Sequence, residues 1–151
     1  MTIERQRGEY TITTDPKRVD PVAAHAYISR SYWAEGVPFA VVERAIRNSL
    51  CFAILHGERQ VGFARVVTDK ATFAYLADVY VLEEHRGQGL SKWMLEVVRG
   101  HEDLQGLRRF LLATKDAHGL YEQFGFKPLL NPSRMMEVLD PDVYKRTGGR
   151  P

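Results

Sequence analysis

Hydrophobic positions in this chain repeat in two ways, and the change from one to the other marks its elements. Between Leu50 and Leu82 apolar residues come in runs of strand length broken by turn residues, whereas from Leu90 to Val98 they return every three or four positions. Leu90, Trp93, Met94, Val97 and Val98 match at every position the i, i+3, i+4, i+7, i+8 template of a helix that buries one face. Leu50–Leu55 and Gln60–Thr68 read as strands joined by a hairpin turn at His56-Gly57-Glu58-Arg59, with Gly62 a weak point in the second. Asp69-Lys70 turns the chain into a third strand, Thr72–Leu82, whose FAYLADVYVL run is apolar almost throughout and fits a central strand covered on both faces. Three strands at this spacing predict an antiparallel meander.

The flanks extend the pattern. Glu9–Thr13 alternates and carries Tyr, Thr and Ile, as a first, edge strand does. Asp20 followed by Pro21 is a helix start, an N-cap with proline at the first helical position, and this helix should reach about Ser29 or Tyr32. A loop rich in large aromatics follows, Ser31 to Val37, and Pro38 opens a second helix over Phe39–Arg47. Beyond the Leu90 helix, Arg108–Thr114 is the next buried strand, so strand, helix and strand form a crossover and the two strands should be parallel. A short helix with Ala117, Leu120, Tyr121 and Phe124 on one face stops at Gly125. Phe126–Leu130 and Met135–Leu139 read as two last strands. Together these predict one α+β domain over residues 1–151, with a mixed, mostly antiparallel sheet of about seven strands flanked by about four helices.

Composition narrows the class. At 44% hydrophobic and 26% charged residues the chain is that of a globular protein and not of a disordered one. A net charge of +2 is too small to mark a nucleic-acid binder, yet it does not repel an anionic ligand. The basic groups at Arg5–Arg7 and Lys145–Arg150 read as solvated chain ends. Cys51 is the only cysteine and lies in an apolar run, which suits a buried small hydrophobe. The five histidines lack zinc-like spacing, so no metal is expected. Met1–Gly8 has no apolar core for a signal peptide, and no apolar run is long enough to span a membrane; a reduced, cytoplasmic protein is the expectation.

Chemistry concentrates between Val79 and Val98, where an apolar strand ends, a charged loop follows, and glycines open into the amphipathic helix. Gly87 and Gly89 let the backbone take positive φ and approach a ligand, while residues Gln88 to Lys92 would aim their amides outward at the positive end of the helix dipole. Ser91 could cap the helix or bond a phosphate oxygen, and Arg86 and Lys92 add charge. An anion pocket and a plain strand-to-helix turn both fit this loop. A Walker loop and a dinucleotide fingerprint do not, since neither Gly-Lys-Ser/Thr nor G-x-G-x-x-G is present there.

Arg86-x-x-Gly89-x-Ser91, preceded by Val79-Tyr80-Val81, resembles the acetyl-coenzyme A loop of the GNAT superfamily of N-acetyltransferases, departing from its Arg/Gln-x-x-Gly-x-Gly/Ala pattern only at Ser91. Downstream, the stretch from Thr114 through Ala117, Leu120, Tyr121 and Gly125 to Phe126 resembles the family's Ala-x-x-Leu-Tyr-x-x-x-Gly-Phe segment. The likeness covers Gln60 to Leu130 well. It implies that acetyl-CoA is the cosubstrate and that its pantetheine arm lies against the backbone of Val79, Tyr80 and Val81, where that strand splays from its parallel neighbour. It implies too that the pyrophosphate sits on the amides of Arg86, Gly87, Gln88, Gly89, Leu90, Ser91 and Lys92. Thr114, Ala117, Leu120 and Phe124 would flank the cofactor, and Tyr121 would protonate the departing thiolate.

Acyl transfer to an amine needs a neutral amine, a donor for the developing oxyanion and a proton for the sulfur. The Val81 amide is a candidate oxyanion donor. Tyr121 is the candidate acid, although its place on the Ala117–Phe124 stripe also suits simple packing. Asp78, the only charge between Phe73 and Leu82, could accept the amine's proton directly or through water, or could pair with an arginine such as Arg65. Tyr75, on the opposite strand face from Asp78, could touch the acceptor or pack in the core. Tyr32, Trp33 and Glu35, with Phe39, form the expected acceptor wall, Glu35 attracting a cationic amine; Tyr32 and Trp33 could equally pin the helices to the sheet. Met135, Met136 and Glu137 are weaker candidates of the same kind. The expectation is direct transfer from acetyl-CoA to a primary amine, on a small molecule or on a peptide or protein, with no nucleic-acid or membrane partner and with a homodimer compatible with the sequence. The rivals are a non-catalytic CoA-binding domain, another acyl donor, or a hydroxyl acceptor.

Overall fold

The computed structural model describes residues 2–146. Its sheet has six strands in sequence order: β1 (Glu4–Arg7), β2 (Tyr10–Thr13), β3 (Leu50–His56), β4 (Arg59–Thr68), β5 (Phe73–Val81) and β6 (Arg109–Leu112). Every neighbouring pair is antiparallel except β5 and β6, which are parallel as the crossover through α3 (Leu90–Gly100) requires. Four α-helices flank the sheet: α1 (Pro21–Ile28), α2 (Phe39–Arg47), α3 and α4 (His118–Glu122). The mixed α+β architecture is the one expected, with six strands.

The helix starts follow from local chemistry. Asp20 accepts from the amides of Val22 and Ala23, so α1 begins at Pro21, and it ends at Ile28, at the short end of the expected range. α2 has the bounds that its pattern predicts. α3 lies on one face of the sheet, burying Leu90, Trp93, Met94, Leu95 and Val98 against Phe52, Ile54, Ala64, Val66, Ala74 and Leu76. α1 and α2 cover part of the other face, where Ala24, Ile28 and Val42 meet Cys51, Ala53, Leu55, Phe63 and Tyr80.

Two ends of the sheet depart from expectation. Arg5–Arg7, expected as a solvated terminus, lies in β1, which pairs with β2 across a turn at Gly8 and displaces β2 from the edge. The sequence ERQR has no apolar face because an edge strand exposed on both sides needs none, and charge on such an edge discourages pairing with other chains. At the other end Phe126–Leu130 and Met135–Leu139 form no strands. The Phe126 amide is spent on the Tyr121 carbonyl as the chain leaves α4, Pro128 and Pro132 remove two donors, and Pro132–Arg134 is a 3-10 turn.

Two irregularities shape the centre. Ile54 pairs with Gly62 and Leu55 with Gln60, so Val61 is an extra residue in β4. A Cβ on Gly62 would come within 2.7 Å of Ile54 Cδ1, so the weak point is a site where only glycine lets the neighbouring side chain pass. In β5, Phe63 pairs with Tyr80 and Arg65 with Ala77, which leaves Asp78 and Val79 opposite Ala64. Asp78 has φ +55°, in the left-handed region that Asp tolerates better than bulkier residues. The bulge switches the faces of the strand. Ala74 and Leu76 point to the α3 side, but beyond the bulge Tyr80 points to the α1–α2 side and Val81 to α3.

Candidate active site

β5 and β6 pair only from Phe73–Leu76 with Arg109–Leu112. Past that point β5 runs on to Val81 with β4 on one side alone, while the chain beyond β6 turns away through Ala113 and Thr114 towards α4. The freed edge of β5 therefore borders the gap between the parting strands, which is the cleft meant here. Leu82 N donates to Val61 O on β4, and alternation along the strand turns the Val81 amide the other way, to the cleft. Tyr80 and Val81 bury their side chains in the two cores, so here the strand offers backbone. The Tyr80 hydroxyl is pushed up to about 12 by burial, and its ring stacks on Tyr27 with centroids 4.2 Å apart.

At the top of the cleft Gly89 is the N-cap of α3, with φ +75°, and no side chain caps this helix. The first-turn amides of an eleven-residue helix are thus left for a ligand at the positive end of its dipole. Gly87 also has positive φ, at +81°. Leu90 is buried and contributes only its backbone, while Ser91 is half-buried and Lys92 exposed. Arg86 does not reach out as free charge: its Nε donates to Val81 O at 2.9 Å and its Nη2 to the Tyr27 hydroxyl at 3.0 Å, fixing the loop to the strand it leaves.

The sequence reading missed the residues that brace this loop from β1 and β2. Arg7 Nη2 donates to Gln88 O at 2.9 Å, and its guanidinium lies 4.9 Å from the centroid of the Trp93 ring. Gln88 Nε2 donates to the Tyr10 hydroxyl at 3.1 Å and to His85 O at 3.2 Å, and Tyr10 in turn bonds His85 Nδ1 at 2.8 Å. Only the β1–β2 hairpin brings these groups to the loop, and no motif announces it.

The lower end of the cleft collects the aromatic loop. Trp33 Nε1 donates to Asp78 Oδ1 at 2.8 Å, and Arg65 Nε donates to Asp78 Oδ2 at 2.8 Å. Arg65 Nη1 continues to Ser49 Oγ at 3.2 Å. Tyr32 meets Trp33 edge to face at 5.2 Å, its hydroxyl accepts from Lys115 N at 3.2 Å, and Lys115 Nζ lies 5.5 Å from the centroid of the Tyr32 ring. Tyr121, on α4, packs against the α3-side core, and burial first, then the neighbouring Tyr32 and Asp116, raises its hydroxyl above the ordinary tyrosine range. Thr114 spends its hydroxyl on the Ala117 amide, while Leu120 and Phe124 pack beside Tyr121.

Tyr75, Met135 and Met136 are placed otherwise than expected, and Glu35 stands in solvent. Tyr75 is not on the opposite face from Asp78: the bulge turns Asp78 towards Arg65 and Trp33, onto the face that Tyr75 shares by its pairing with Val67. Glu35 is exposed and makes no hydrogen bond or ion pair among the described residues. Met135 sits beside Arg109, at the Phe73 end of β5, away from the cleft, and Met136 is exposed. Cys51 is buried and its thiol is pushed up to about 12 by desolvation, which removes it as a nucleophile. Among the described residues no group of His, Cys, Asp and Glu could hold a metal, and no helix is long and apolar enough to cross a membrane.

Comparison with known proteins gives a concordant result. The family model described as an acetyltransferase (GNAT) domain matches residues 47–128, more than half of the chain. A Gibberella zeae protein assigned as an acetyltransferase is 36% identical over 138 residues, covering 76% of this chain and 77% of that protein. The crystal structure of a Xanthomonas campestris protein assigned to the GNAT acetyltransferases is 51% identical, with a TM-score of 0.88 over 91% of this chain and 97% of its own. A Clostridium acetobutylicum acetyltransferase solved with acetyl-CoA shares the fold at 15% identity and a TM-score of 0.62, over 92% and 96% of the two chains.

Proposed function

Because this chain belongs to the GNAT acetyltransferases and is an acyltransferase, we propose that it moves an acetyl group from acetyl-CoA to a primary amine by direct attack, with donor and acceptor bound together. The observation that carries the reading is the succession of open groups along the freed half of β5. Uncapped α3 amides stand at one end, the freed β5 edge follows, and the contacts Asp78–Trp33–Tyr32 lead on towards α4 and Tyr121. These features fit acetyl-CoA: unsatisfied backbone donors suit a pyrophosphate, and an unpaired strand edge suits the amides of a pantetheine arm.

When bound, acetyl-CoA supplies the thioester carbonyl that the amine attacks. The amides from Gln88 to Lys92 hold the phosphates, with Arg86 and Arg7 keeping their loop in place. The Val81 amide is the donor for charge developing on the carbonyl oxygen. Tyr121 gives its phenolic proton to the departing sulfur, and burial keeps that proton in place at neutral pH. Both oxygens of Asp78 already accept hydrogen bonds, one from Trp33 and one from Arg65. We assign it to holding Trp33 and Arg65 at the cleft and leave the amine's proton to water. Tyr32 and Trp33 then wall an acceptor site for an amine on a small molecule or a peptide, acting in the cytoplasm.

Calorimetry with acetyl-CoA, followed by turnover on a panel of small amines and lysine peptides, tests this. Saturable binding and turnover of at least one amine are expected, with Tyr121→Phe binding acetyl-CoA normally while kcat falls about 100-fold. Absence of acetyl-CoA binding, or binding without turnover on any amine, would overturn it.

A further inference from the structure

The hydrogen bonds that brace the loop opening α3 admit one assignment of their hydrogens, and that assignment depends on a proton. His85 O can only accept, so the Gln88 amide turns its Nε2 towards it, at 3.2 Å. The second hydrogen on Gln88 Nε2 then goes to the Tyr10 oxygen, at 3.1 Å. The Tyr10 hydroxyl keeps its own hydrogen for one of two acceptors. Gln88 Oε1 is 3.4 Å away, beyond the reach of about 3.0 Å for an O–H···O bond, whereas His85 Nδ1 is 2.8 Å away. Nδ1 therefore accepts, and the His85 ring is neutral with its hydrogen on Nε2.

A proton added to His85 breaks this set. His85 Nδ1 becomes a donor, so it and Gln88 Nε2 both aim hydrogens at one phenolic oxygen, whose own hydrogen has lost its acceptor. To offer Oε1 instead, the Gln88 amide has to turn, and its bond to His85 O goes. That bond closes the loop on itself, since His85 ends a 3-10 turn over Glu83–His85 and Gln88 precedes Gly89, the N-cap of α3. The charged groups around the cluster are otherwise engaged. His56, opposite Tyr10 in the β2–β3 register and 5.2 Å from His85 between ring centroids, lies 3.4 Å from Glu9, and Glu84 lies 3.7 Å from Arg59. Arg7 holds Gln88 O, Arg86 holds Val81 O and the Tyr27 hydroxyl, and Glu83 is exposed. No carboxylate among the described residues pairs with His85 to take up a hydrogen on Nδ1. We propose that His85 is a positioning residue for acetyl-CoA: its neutral ring holds Tyr10, and through Tyr10 the Gln88 side chain, so the loop is braced while His85 is neutral and slackens when it is protonated. The inference rests on the reading of this loop as the phosphate site.

Calorimetry with acetyl-CoA at about pH 7.5 and about pH 5.5, on either side of the range in which imidazole takes its proton, tests it. Wild-type affinity should fall at the lower pH about fivefold more than that of His85→Gln, whose amide offers Tyr10 an acceptor and takes no proton. Protonation of the ligand's own phosphates acts on both proteins alike and cancels in that ratio. Tyr10→Phe cuts the link between His85 and Gln88, so it should bind more weakly at the higher pH and lose the same excess pH dependence. His56→Gln should keep that dependence. Equal falls in the wild type, His85→Gln and Tyr10→Phe overturn the inference and leave acetyl-CoA binding standing. So does a dependence that vanishes with His56→Gln and survives His85→Gln, or a wild type that binds more tightly at the lower pH. Absence of binding at both pH values removes the phosphate site and this inference with it.

Discussion

The two halves of β5 come from one apolar run and live in different surroundings. Phe73–Leu76 hydrogen-bonds to β4 on one side and β6 on the other, alternates regularly, and carries no strained residue. Ala77–Val81 has β4 alone, and it holds a bulge, a residue with positive φ and a carboxylate tied to an arginine and a tryptophan. An ordinary strand would put the residue after Ala77 under α3 with Leu76. One extra residue instead turns Asp78 to the helix-α1 side and still returns Tyr80 and Val81 to their cores. Irregular backbone here is the means by which a central, buried strand exposes an edge and a polar group without losing its packing.

Removing the group that holds the bulge should break this contrast most severely. Asp78→Ala leaves the Arg65 guanidinium without its carboxylate in a setting where both side chains are mostly buried, and it frees Trp33; a loss of about 3 kcal/mol in urea unfolding is expected. Asp78→Asn keeps the tolerance for positive φ and an acceptor for one donor, and should lose about 1 kcal/mol. If the two substitutions cost the same, the carboxylate charge is not what holds the bulge.

Tyr121 sharpens the contrast on the open side. Its hydroxyl titrates above the ordinary tyrosine range, so in the proposed role of proton donor it stays loaded until pH passes above that range. At saturating substrates kcat should therefore show no acid-donor decline below about pH 10, with the fall setting in at higher pH. In Tyr121→Phe, already slower by about 100-fold (about 2.7 kcal/mol), that alkaline limb should be absent. A limb that persists in the variant belongs to another group.

The closed side has a titration of opposite sense. His101 follows α3, is buried against Phe52, accepts the Asp103 amide on Nδ1 at 3.0 Å, and has no partner for Nε2 among the described residues. Burial lowers its pKa below the ordinary 6.5, so the folded state holds the neutral ring. The stability this contributes is complete above the unfolded value and is lost as pH falls below about 6.5, by at most about 1.4 kcal/mol per pH unit. Urea unfolding at about pH 7.5 and about pH 5.5 should show the loss, and His101→Gln should reduce the pH dependence.

Much of this was legible wherever one residue type answers one local need. Asp20 before Pro21, the Leu90–Val98 stripe and Gly125 after α4 each gave an element that the structure contains, and strand, helix and strand in order required β5 and β6 to be parallel. What was hidden depends on pairing between distant segments. The ERQR of β1 has no pattern because both its faces are wet. Alternation put Asp78 and Tyr75 on opposite faces, since a bulge is a property of two strands and leaves no mark in one. Met135–Leu139 has strand-like residues but pairs with no strand among the described residues.

Arg7 makes the smallest of these effects and tests the least visible part of the site. It sits in the strand with no pattern, yet its guanidinium both donates to Gln88 O and lies over Trp93, joining the sheet edge to the loop that opens α3. Hydrogen bonds from charged donors and cation–π contacts at exposed sites are each worth about 1 kcal/mol. Only the part that holds the loop's amides in place bears on the ligand. Arg7→Ala should therefore weaken acetyl-CoA binding about five- to tenfold by calorimetry, with Tyr121-dependent kcat unchanged at saturation. Arg7→Lys keeps the charge but loses the planar stacking group, and should fall between. If Arg7→Ala lowers the melting temperature while affinity stays at the wild-type value, the residue serves the fold alone. The order that the freed half of β5 lacks is then not supplied to the neighbouring loop from β1.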